Sequence, residues 1–248
     1  MNPIVIGPRT HVLVLTGAGV SAESGIPTFR GVGGFWNNHP VERVASPEGF
    51  RDDPALVWQF YSERRAAAND CQPNRAHRAI AALEQRLGDR FLLATQNVDG
   101  LHAKAGSVRA IELHGSLFRT RCAMCNRAPF ADDEAYAKGN IPGCGECHRE
   151  GRYGILRPDI VWFGESLDTS HLERVASFLE RAGRDLVFVA AGTSGAVYPA
   201  AGFVEHARAR GGDTWLVNAE PAQNASAFAH FVQGEAGAVL PRIFGTGE

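Results

Sequence analysis

The sequence of 248 residues contains no apolar run close to the roughly 20 residues that a membrane-spanning helix needs. Its first nine residues show no charged segment followed by a long apolar stretch, so they do not resemble a signal peptide. No long internal repeat and no low-complexity tail is visible. These absences argue against an integral membrane protein and against a repeat array, and they make a cytoplasmic location the expectation.

An excess of charge of either sign is also missing. The chain has 25 Lys and Arg residues against 27 Asp and Glu residues, a formal net charge of -2. Bulk charge therefore predicts neither direct nucleic-acid binding nor binding to a membrane surface. With 44% hydrophobic and 21% charged residues, the composition is typical of a globular protein, and the length allows one large domain or two small ones.

Cysteine is scarce, but four of the five cysteines follow a regular spacing. Two C-x-x-C pairs are separated by 18 residues, and the four positions are Cys122, Cys125, Cys144 and Cys147. This spacing predicts a structural zinc site, because two thiolates of each pair can reach one tetrahedral ion. Two disulfides or redox-active pairs are the alternatives, and His148 could replace Cys147 as a ligand. Cys71 is expected to be an ordinary thiol.

Strands and helices alternate along most of the chain. Short apolar segments bounded by turn-forming residues predict strands at 11–16, 90–95, 108–113, 184–191 and 213–218. Helices are predicted at 54–69, 74–87, 172–182 and 199–210, with Pro54 in a first turn and Asn74 as an N-cap. The alternation predicts an α/β fold with a doubly wound, parallel, Rossmann-like sheet.

Two segments interrupt this alternation and predict a second, smaller lobe. Residues 32–73 combine a loop with helix, and residues 119–154 hold the zinc cysteines among Pro, Gly and Asn. We predict that residues 1–31, 74–118 and 155–248 form the nucleotide-binding lobe. The two inserts then build the small lobe, with the zinc module as a structural stiffener.

The first apolar strand ends in a glycine-rich turn. Gly17-x-Gly19-x-x-Ala22 fits the dinucleotide-binding pattern G-x-G-x-x-A, although a purely structural strand-to-helix turn fits it as well. An ordinary dinucleotide domain has a second strand ending in an acidic residue about 20 positions later. Here Pro27 and Gly31 punctuate that region, which predicts a loop over the cofactor. Chemistry on the nucleotide itself fits this arrangement better than hydride transfer.

The stretch GAGVSAESGIPTFRG at 17–31 is similar to the signature of the sirtuins, which are NAD-dependent protein lysine deacylases. TQNVDGLH at 95–102, HGS at 114–116, GTS at 192–194 and VN at 217–218 resemble further sirtuin motifs in the family order. The resemblance therefore covers nearly the whole chain. It implies NAD as co-substrate, one structural zinc ion, acylated-lysine proteins or peptides as partners, and substrates that meet in the cleft between two lobes.

The resemblance also implies the catalytic residues. His114 is the general base of the family, and Asn97 and Asp99 hold the ribose and the nicotinamide carboxamide. Independently of the resemblance, His114 follows an apolar strand, at the kind of strand end where open α/β sheets place ligands. An imidazole there can accept a proton near neutral pH. The products implied are nicotinamide, O-acyl-ADP-ribose and the deacylated lysine.

The resemblance implies that a larger set of residues contacts the cofactor. In this set Phe29 shields the ribose and Arg30 orders the loop over the cofactor. The set is Gly17, Ala18, Gly19, Glu23, Phe29, Arg30, Trp36, Gln96, Asn97, Asp99, Gly192, Thr193, Ser194, Asn218, Glu220 and Ala236. A substrate segment is implied at Val161, Trp162, Phe163, Gly164 and Glu165, which would pair with the peptide backbone. Without the resemblance, the apolar run 160–165 predicts a buried strand.

Tyr61 and Arg64 lie three residues apart, so they share one face of the predicted helix. By themselves they fit a packed tyrosine and a solvated arginine. The pair resembles the mark of sirtuins that accept succinyl- and malonyl-lysine, as in bacterial CobB-type members, and Ala45 matches the small residue that widens their pocket. The resemblance implies both deacetylase and desuccinylase or demalonylase activity. Mono-ADP-ribosyl transfer, a non-enzymatic NAD or ADP-ribose sensor and an NAD-dependent dehydrogenase are the alternatives.

Overall fold

A computed structural model describes residues 3–27, 35–36 and 39–246 of the chain. In chain order its strands are β1 (His11–Thr16), β2 (Phe35–Trp36), β3 (His39–Pro40), β4 (Phe91–Thr95), β5 (Ile111–Glu112), β6 (Gly115–Cys122), β7 (Phe130–Ala131), β8 (Leu156–Ile160), β9 (Leu186–Ala191), β10 (Asp213–Asn218) and β11 (His230–Gln233).

Its helices are α1 (Gly19–Ala22), α2 (Val41–Val44), α3 (Pro47–Asp52), α4 (Pro54–Asp70), α5 (Arg75–Leu87), α6 (Leu101–Lys104), α7 (Gly145–Arg149), α8 (Thr169–Ala182), α9 (Phe203–Ala209) and α10 (Ala236–Phe244). Single 3₁₀ turns occur at Gly88–Arg90, Gly183–Asp185, Ala200–Gly202 and Ala225–Ala227. Within the described ranges, no helix is both long and apolar enough to cross a bilayer.

Six parallel strands form the main sheet, in the order β11-β10-β9-β1-β4-β5. The chain moves outward from β1 to one edge and then returns to build the other half from β9. The strand order therefore reverses between β1 and β9, which is where open α/β sheets bind ligands. The predicted doubly wound, Rossmann-like sheet is confirmed.

Alternating side chains of β1 supply two separate cores. Val12 and Val14 face one side of the sheet and pack with α5 and α10. Leu13 and Leu15 face the other side and pack with α8 and α9. Every one of these four side chains is at most 3% exposed, so the strand is buried on both faces. A continuous apolar run is the expected sequence of such a strand.

Two helices, α4 and α5, begin within one residue of the predicted positions because their caps are local. The Asp53 side chain accepts a hydrogen bond from the Leu56 backbone at the start of α4, and Pro54 occupies its first turn. At the start of α5, the Asn74 side chain accepts from Ala76 at 2.9 Å. An N-cap side chain satisfies backbone donors that the helix leaves unpaired.

A third core lies outside the main sheet. It joins side chains of α4, such as Trp58, to Leu117 of β6 and Leu156 of β8, and it includes three of the zinc-motif cysteines. Strands β7, β6 and β8 form a small antiparallel sheet beside it. Residues of both predicted inserts contribute to this core, which supports the predicted small lobe, although its boundaries stay a prediction.

A buried arginine ties α4 to the small sheet. The Arg65 side chain is fully buried, and its guanidinium donates to the backbone carbonyls of Leu117 and Arg119 and to the side chains of Thr120 and Asp132. A buried charge of this kind is tolerated only when its donors are satisfied. Sequence patterning gives no signal for it, because arginine normally marks a solvent-exposed position.

Several sequence predictions differ from the structure. The strand predicted at 108–113 shortens to the two residues of β5, and the helices predicted from 172 and 199 begin at Thr169 and Phe203. The strands β6, β8 and β11 and the helix α10 were not predicted. The buried strand predicted at 160–165 is wrong, because β8 ends at Ile160 and residues 161–165 have no regular structure. The run is apolar because Trp162 fills the third core as part of a turn, not as part of a ladder.

Candidate active site

A cavity of about 900 Å³ lies at the carboxyl ends of β1, β4, β5, β9 and β10, at the reversal of strand order. All the predicted cofactor, catalytic and substrate residues with a described side chain line it: Gly17, Ala18, Gly19, Glu23, Ala45, Tyr61, Arg64, Gln96, Asn97, Asp99, His114, Val161, Trp162, Phe163, Gly164, Glu165, Gly192, Thr193, Ser194, Asn218, Glu220 and Ala236. Phe29 and Arg30 lie outside the described residues, and of Trp36 only the backbone, in β2, is described.

The glycines of the first turn have a steric cause. A Cβ atom at Gly17 would lie 2.7 Å from the carbonyl oxygen of Gly192, and one at Gly19 would lie 2.7 Å from the Gly192 Cα. The Gly19 N–H donates to the Gly192 carbonyl at 2.8 Å. The turns after β1 and β9 therefore pack directly on each other and form a floor without side chains, which suits the close approach of a pyrophosphate.

Side-chain amides brace the second turn of this floor. The Asn218 side chain accepts from the Thr193 N–H at 3.1 Å and donates to the Thr193 carbonyl at 2.6 Å. Gln96 donates to the Thr193 hydroxyl at 3.1 Å. Across the cavity, the Glu23 carboxylate accepts from the Gly237 N–H at the start of α10. These contacts hold α10 and the strand ends around one space, which fits a dinucleotide.

Asn97 and Asp99 belong to a buried hydrogen-bond network that the sequence analysis only partly identified. The Ser21 hydroxyl donates to the Asp99 carboxylate at 2.7 Å and accepts from the Asn97 amide at 3.1 Å. The same amide donates to the Gly17 carbonyl at 3.1 Å. Ser21 was missed as a site residue, although it lies inside the glycine-rich motif; its position there was the available signal.

Two buried histidines extend this network. The rings of His77 and His102 lie 4.8 Å apart between centroids, and both side chains are under 5% exposed. His102 Nε2 lies 2.9 Å from the Thr16 hydroxyl, and the Thr16 hydroxyl donates to that of Thr95. Burial lowers the pKa of His77 to about 4 and that of His102 to about 3. Both rings are therefore neutral at neutral pH.

These two histidines predict acid sensitivity of the fold. Their pKa values are lower in the folded chain than the usual 6.5, so unfolded chains bind protons first and the free energy of unfolding falls as the pH drops below 6.5 toward 4. Urea denaturation at several pH values is the measurement. A His102→Gln variant should show a slope shallower by up to about 1.4 kcal/mol per pH unit. An unchanged slope would contradict the assignment.

His114 lies between β5 and β6 with one ring nitrogen engaged. Its Nδ1 is 3.1 Å from the Gln96 carbonyl oxygen. Since a carbonyl only accepts, Nδ1 carries the proton and the neutral ring keeps a lone pair on Nε2. Burial lowers the pKa of His114. The ring is thus held as a neutral base at the wall of the cavity.

Tyr61 and Arg64 face the cavity from α4. Tyr61 is fully buried and Arg64 is 9% exposed, so the interpretation of Arg64 as a solvated residue is wrong. Burial raises the pKa of Tyr61 to about 12 and lowers that of Arg64 to about 10. At neutral pH the phenol keeps its proton and the guanidinium its charge. Ala45 is 3% exposed nearby, and its carbonyl accepts from the Phe163 N–H.

The segment 161–165 is anchored at both ends. The Val161 N–H donates to the His114 carbonyl at 3.0 Å, which places this segment next to His114. Glu165 makes its hydrogen bonds within the protein. Its carboxylate accepts two hydrogen bonds from Arg157 and one from the backbone N–H of Trp162. Phe163 stays 38% exposed.

Four cysteines form a cluster away from the cavity. Their sulfur atoms lie within 4.8 Å of one another, with Cys122 and Cys147 3.7 Å apart and Cys125 and Cys144 3.8 Å apart. A tetrahedral zinc ion with Zn–S bonds of about 2.3 Å requires sulfur separations close to these values. They are far too long for disulfide bonds of about 2.05 Å. The donor set fits a closed, structural zinc site.

The His148 imidazole and the Cys71 thiol both lie outside this cluster. His148 is exposed and is not among the clustered ligand atoms, so it does not replace Cys147 in the described residues. Cys71 is a half-buried free thiol packed against the third core, as expected for an ordinary thiol.

Comparison with known proteins gives one consistent result. The family model described as the Sir2 family matches residues 17–199. An NAD-dependent protein deacylase of Escherichia coli (strain K12) is 45% identical over 95% of this chain and 81% of its own length. The mitochondrial NAD-dependent protein deacylase sirtuin-5 of Danio rerio is 42% identical over 93% and 81%. A solved Sir2 homologue in complex with NAD superposes with a TM-score of 0.85 at 38% identity, covering 99% of this chain and 95% of that one.

Proposed function

The chain belongs to the Sir2 family, and from that premise we propose that it is an NAD-dependent protein lysine deacylase acting on both acetyl-lysine and lysines with acidic acyl groups. The observation that carries the proposal is the single cavity in which His114, the glycine floor and the Tyr61–Arg64 pair meet. Relatives named as NAD-dependent protein deacylases support it over most of the chain length.

His114 is the proposed general base. Its Nδ1 proton is held by the Gln96 carbonyl, and the Nε2 lone pair is free to take a proton from a substrate hydroxyl. NAD supplies the ADP-ribosyl group that accepts the acyl chain. Asn97 and Asp99 follow the adjacent strand β4, are fixed by Ser21, and present polar groups at the same edge of the sheet as His114.

The cofactor and the acylated peptide would occupy two adjoining parts of this cavity. We assign the cofactor to the floor of Gly17, Gly19 and Gly192, with Asn218 and Ala236 at its far side. We assign the peptide to the segment 161–165, whose anchoring on the His114 carbonyl brings a bound lysine close to the base. Backbone pairing with such a segment accepts many peptide sequences.

The buried pair on α4 would select the acyl chain. A guanidinium can pair with a terminal carboxylate through two hydrogen bonds, and the Tyr61 phenol can add a third. The small side chain of Ala45 leaves room for a longer chain. Acetyl-lysine has no carboxylate, so it can enter the same tunnel without this contact.

The test is product analysis by mass spectrometry. The full chain is incubated with NAD and matched acetyl-, succinyl- and malonyl-lysine peptides. We expect free lysine peptide together with nicotinamide and O-acyl-ADP-ribose. ADP-ribosylated protein without deacylation would favour mono-ADP-ribosyl transfer, and binding of NAD without any product would favour a sensor. The cytoplasmic location and the absence of nucleic-acid binding stay predictions.

Replacing Arg64 by Met should separate the two activities. A charged hydrogen bond contributes roughly 1.5–3 kcal/mol, so kcat/KM for the succinyl peptide should fall at least about tenfold. Tyr61→Phe should act in the same direction but more weakly. The acetyl peptide is the internal control, since it offers no carboxylate. An equal decline for both peptides would make Arg64 a structural residue.

A further inference from the structure

The Tyr61 hydroxyl receives a hydrogen bond whose direction is unambiguous. Trp162 Nε1 lies 3.0 Å from the Tyr61 oxygen, and both side chains are at most 2% exposed. An indole N–H can only donate, whereas a phenol can both donate and accept. The tyrosine oxygen therefore accepts here, and its own hydrogen is directed elsewhere. The contacts of the described residues give that hydrogen no acceptor, and the hydroxyl belongs to a cavity-lining residue.

The indole ring itself is held on several sides. The Arg157 guanidinium carbon lies 3.4 Å from the ring centroid, and the Phe50 ring packs on it at 5.2 Å between centroids. The Glu165 carboxylate accepts from the Arg157 guanidinium at 2.6 and 2.9 Å and from the backbone N–H of Trp162 at 2.9 Å. Together these contacts hold the indole in one orientation, in which the indole N–H donates to the Tyr61 oxygen.

We propose that Trp162 is a positioning residue for acidic acyl groups: its indole N–H occupies the acceptor side of the Tyr61 hydroxyl and so aims the hydroxyl hydrogen into the acyl pocket. There the hydrogen joins the Arg64 guanidinium in offering donors to a carboxylate, which only accepts. Arg157 and Glu165 act one step further away by holding the indole. This inference rests on the proposed function, because it concerns the acyl preference of the same site.

The physical gain is preorganisation. A phenol whose oxygen is not engaged can accept from another donor and turn its hydrogen away from the substrate. Fixing the donor direction before binding removes that alternative and its ordering cost. The phenol stays protonated over the working pH range because burial raises the pKa of Tyr61 to about 12. Acetyl-lysine does not use the donor and gains nothing from this arrangement.

The test is the selectivity ratio, kcat/KM for the succinyl peptide divided by kcat/KM for the acetyl peptide. Trp162→Phe should lower this ratio about fivefold, the size of one ordinary hydrogen bond. Because both peptides are measured on one enzyme sample, the folded fraction and any change in the shared peptide groove cancel. The matched control is Trp58→Phe. Trp58 is equally buried and donates its indole N–H to the Leu156 carbonyl at 2.9 Å, so its loss should leave the ratio unchanged.

A double-mutant cycle with Tyr61→Phe distinguishes positioning from packing. If Trp162 acts through the hydroxyl, Trp162→Phe should not lower the ratio further once that hydroxyl is gone. If Trp162→Phe yields no active protein, benzothienylalanine at position 162 replaces the N–H by sulfur while keeping the ring shape, with the same expectation.

An unchanged ratio, or an equal fall in both backgrounds, would overturn the inference while the deacylase function stands. Wild-type enzyme that removes acetyl but not succinyl groups would overturn the acidic acyl preference and the inference with it. Wild-type enzyme inactive on both peptides would overturn the proposed function itself.

Discussion

Replacing His114 by Ala is expected to lower the deacylation rate by about 10²–10⁴-fold, the usual contribution of a general base. The cavity places the ring beside Gln96 with Nδ1 occupied, so no other described histidine can supply the same lone pair at this wall. Affinity for NAD should change little, because the glycine floor is built by other residues. Steady-state kinetics and calorimetric NAD binding are the measurements, and more than about a tenth of the wild-type rate would refute the role.

A pH profile adds a readout that a structural role would not produce. The base works when neutral, so kcat/KM is lost as His114 becomes protonated at low pH. Because burial lowers its pKa from 6.5, the acid limb of the profile should lie below pH 6.5. His206→Ala, at an exposed position, is the control and should keep both rate and profile. An acid limb above pH 6.5 would contradict the assignment.

Replacing Cys144 by Ser is expected to release zinc and to unfold the small lobe. Structural zinc contributes apparent binding energies of about 10–16 kcal/mol in small zinc domains, so the loss is large compared with a typical stability of 5–15 kcal/mol. The cysteine cluster shares the third core with Trp58 and Tyr61. Loss of the metal should therefore abolish activity through the fold. Metal analysis and thermal melting measure the two effects.

Cys71 offers a matched control for this experiment. It is the fifth cysteine, half-buried and outside the cluster, so Cys71→Ser should keep both zinc and the melting temperature close to wild type. A zinc content near zero in folded, active wild-type protein would show that the four thiols have another role. Equal destabilisation by both variants would show that the effect of Cys144 is not due to metal.

The sequence alone determined the parts of this protein that depend on neighbouring residues. The strand at His11–Thr16 is correct to the residue, because a continuous apolar run bounded by polar residues and glycine is a local signal. The cap at Asn74 and the spacing of the cysteines are local in the same sense. Family motifs identified the cavity residues named in the sequence analysis, because each motif is a local pattern.

Only the tertiary structure decided which distant residues form hydrogen bonds with each buried polar side chain. Arg65 and Arg157 look like surface residues, yet both are buried, because partners far along the chain or across a turn satisfy their guanidinium groups. His102 reaches Thr16 across 86 positions. Burying a polar group is costly unless a partner is present, and that partner is supplied by packing, which no local pattern encodes.

The reason for the glycines at 17 and 19 also comes from packing. The sequence predicted a dinucleotide-binding turn, and the structure adds that a side chain at either position would collide with the turn after β9. In the same way, the aromatic run containing Trp162 predicted a strand, and the structure makes it a brace between Arg157 and Tyr61. The apolar character of the run indicated that Trp162 is buried. Its role in holding the Tyr61 hydroxyl depends on contacts with three separate segments, which only the folded chain brings together.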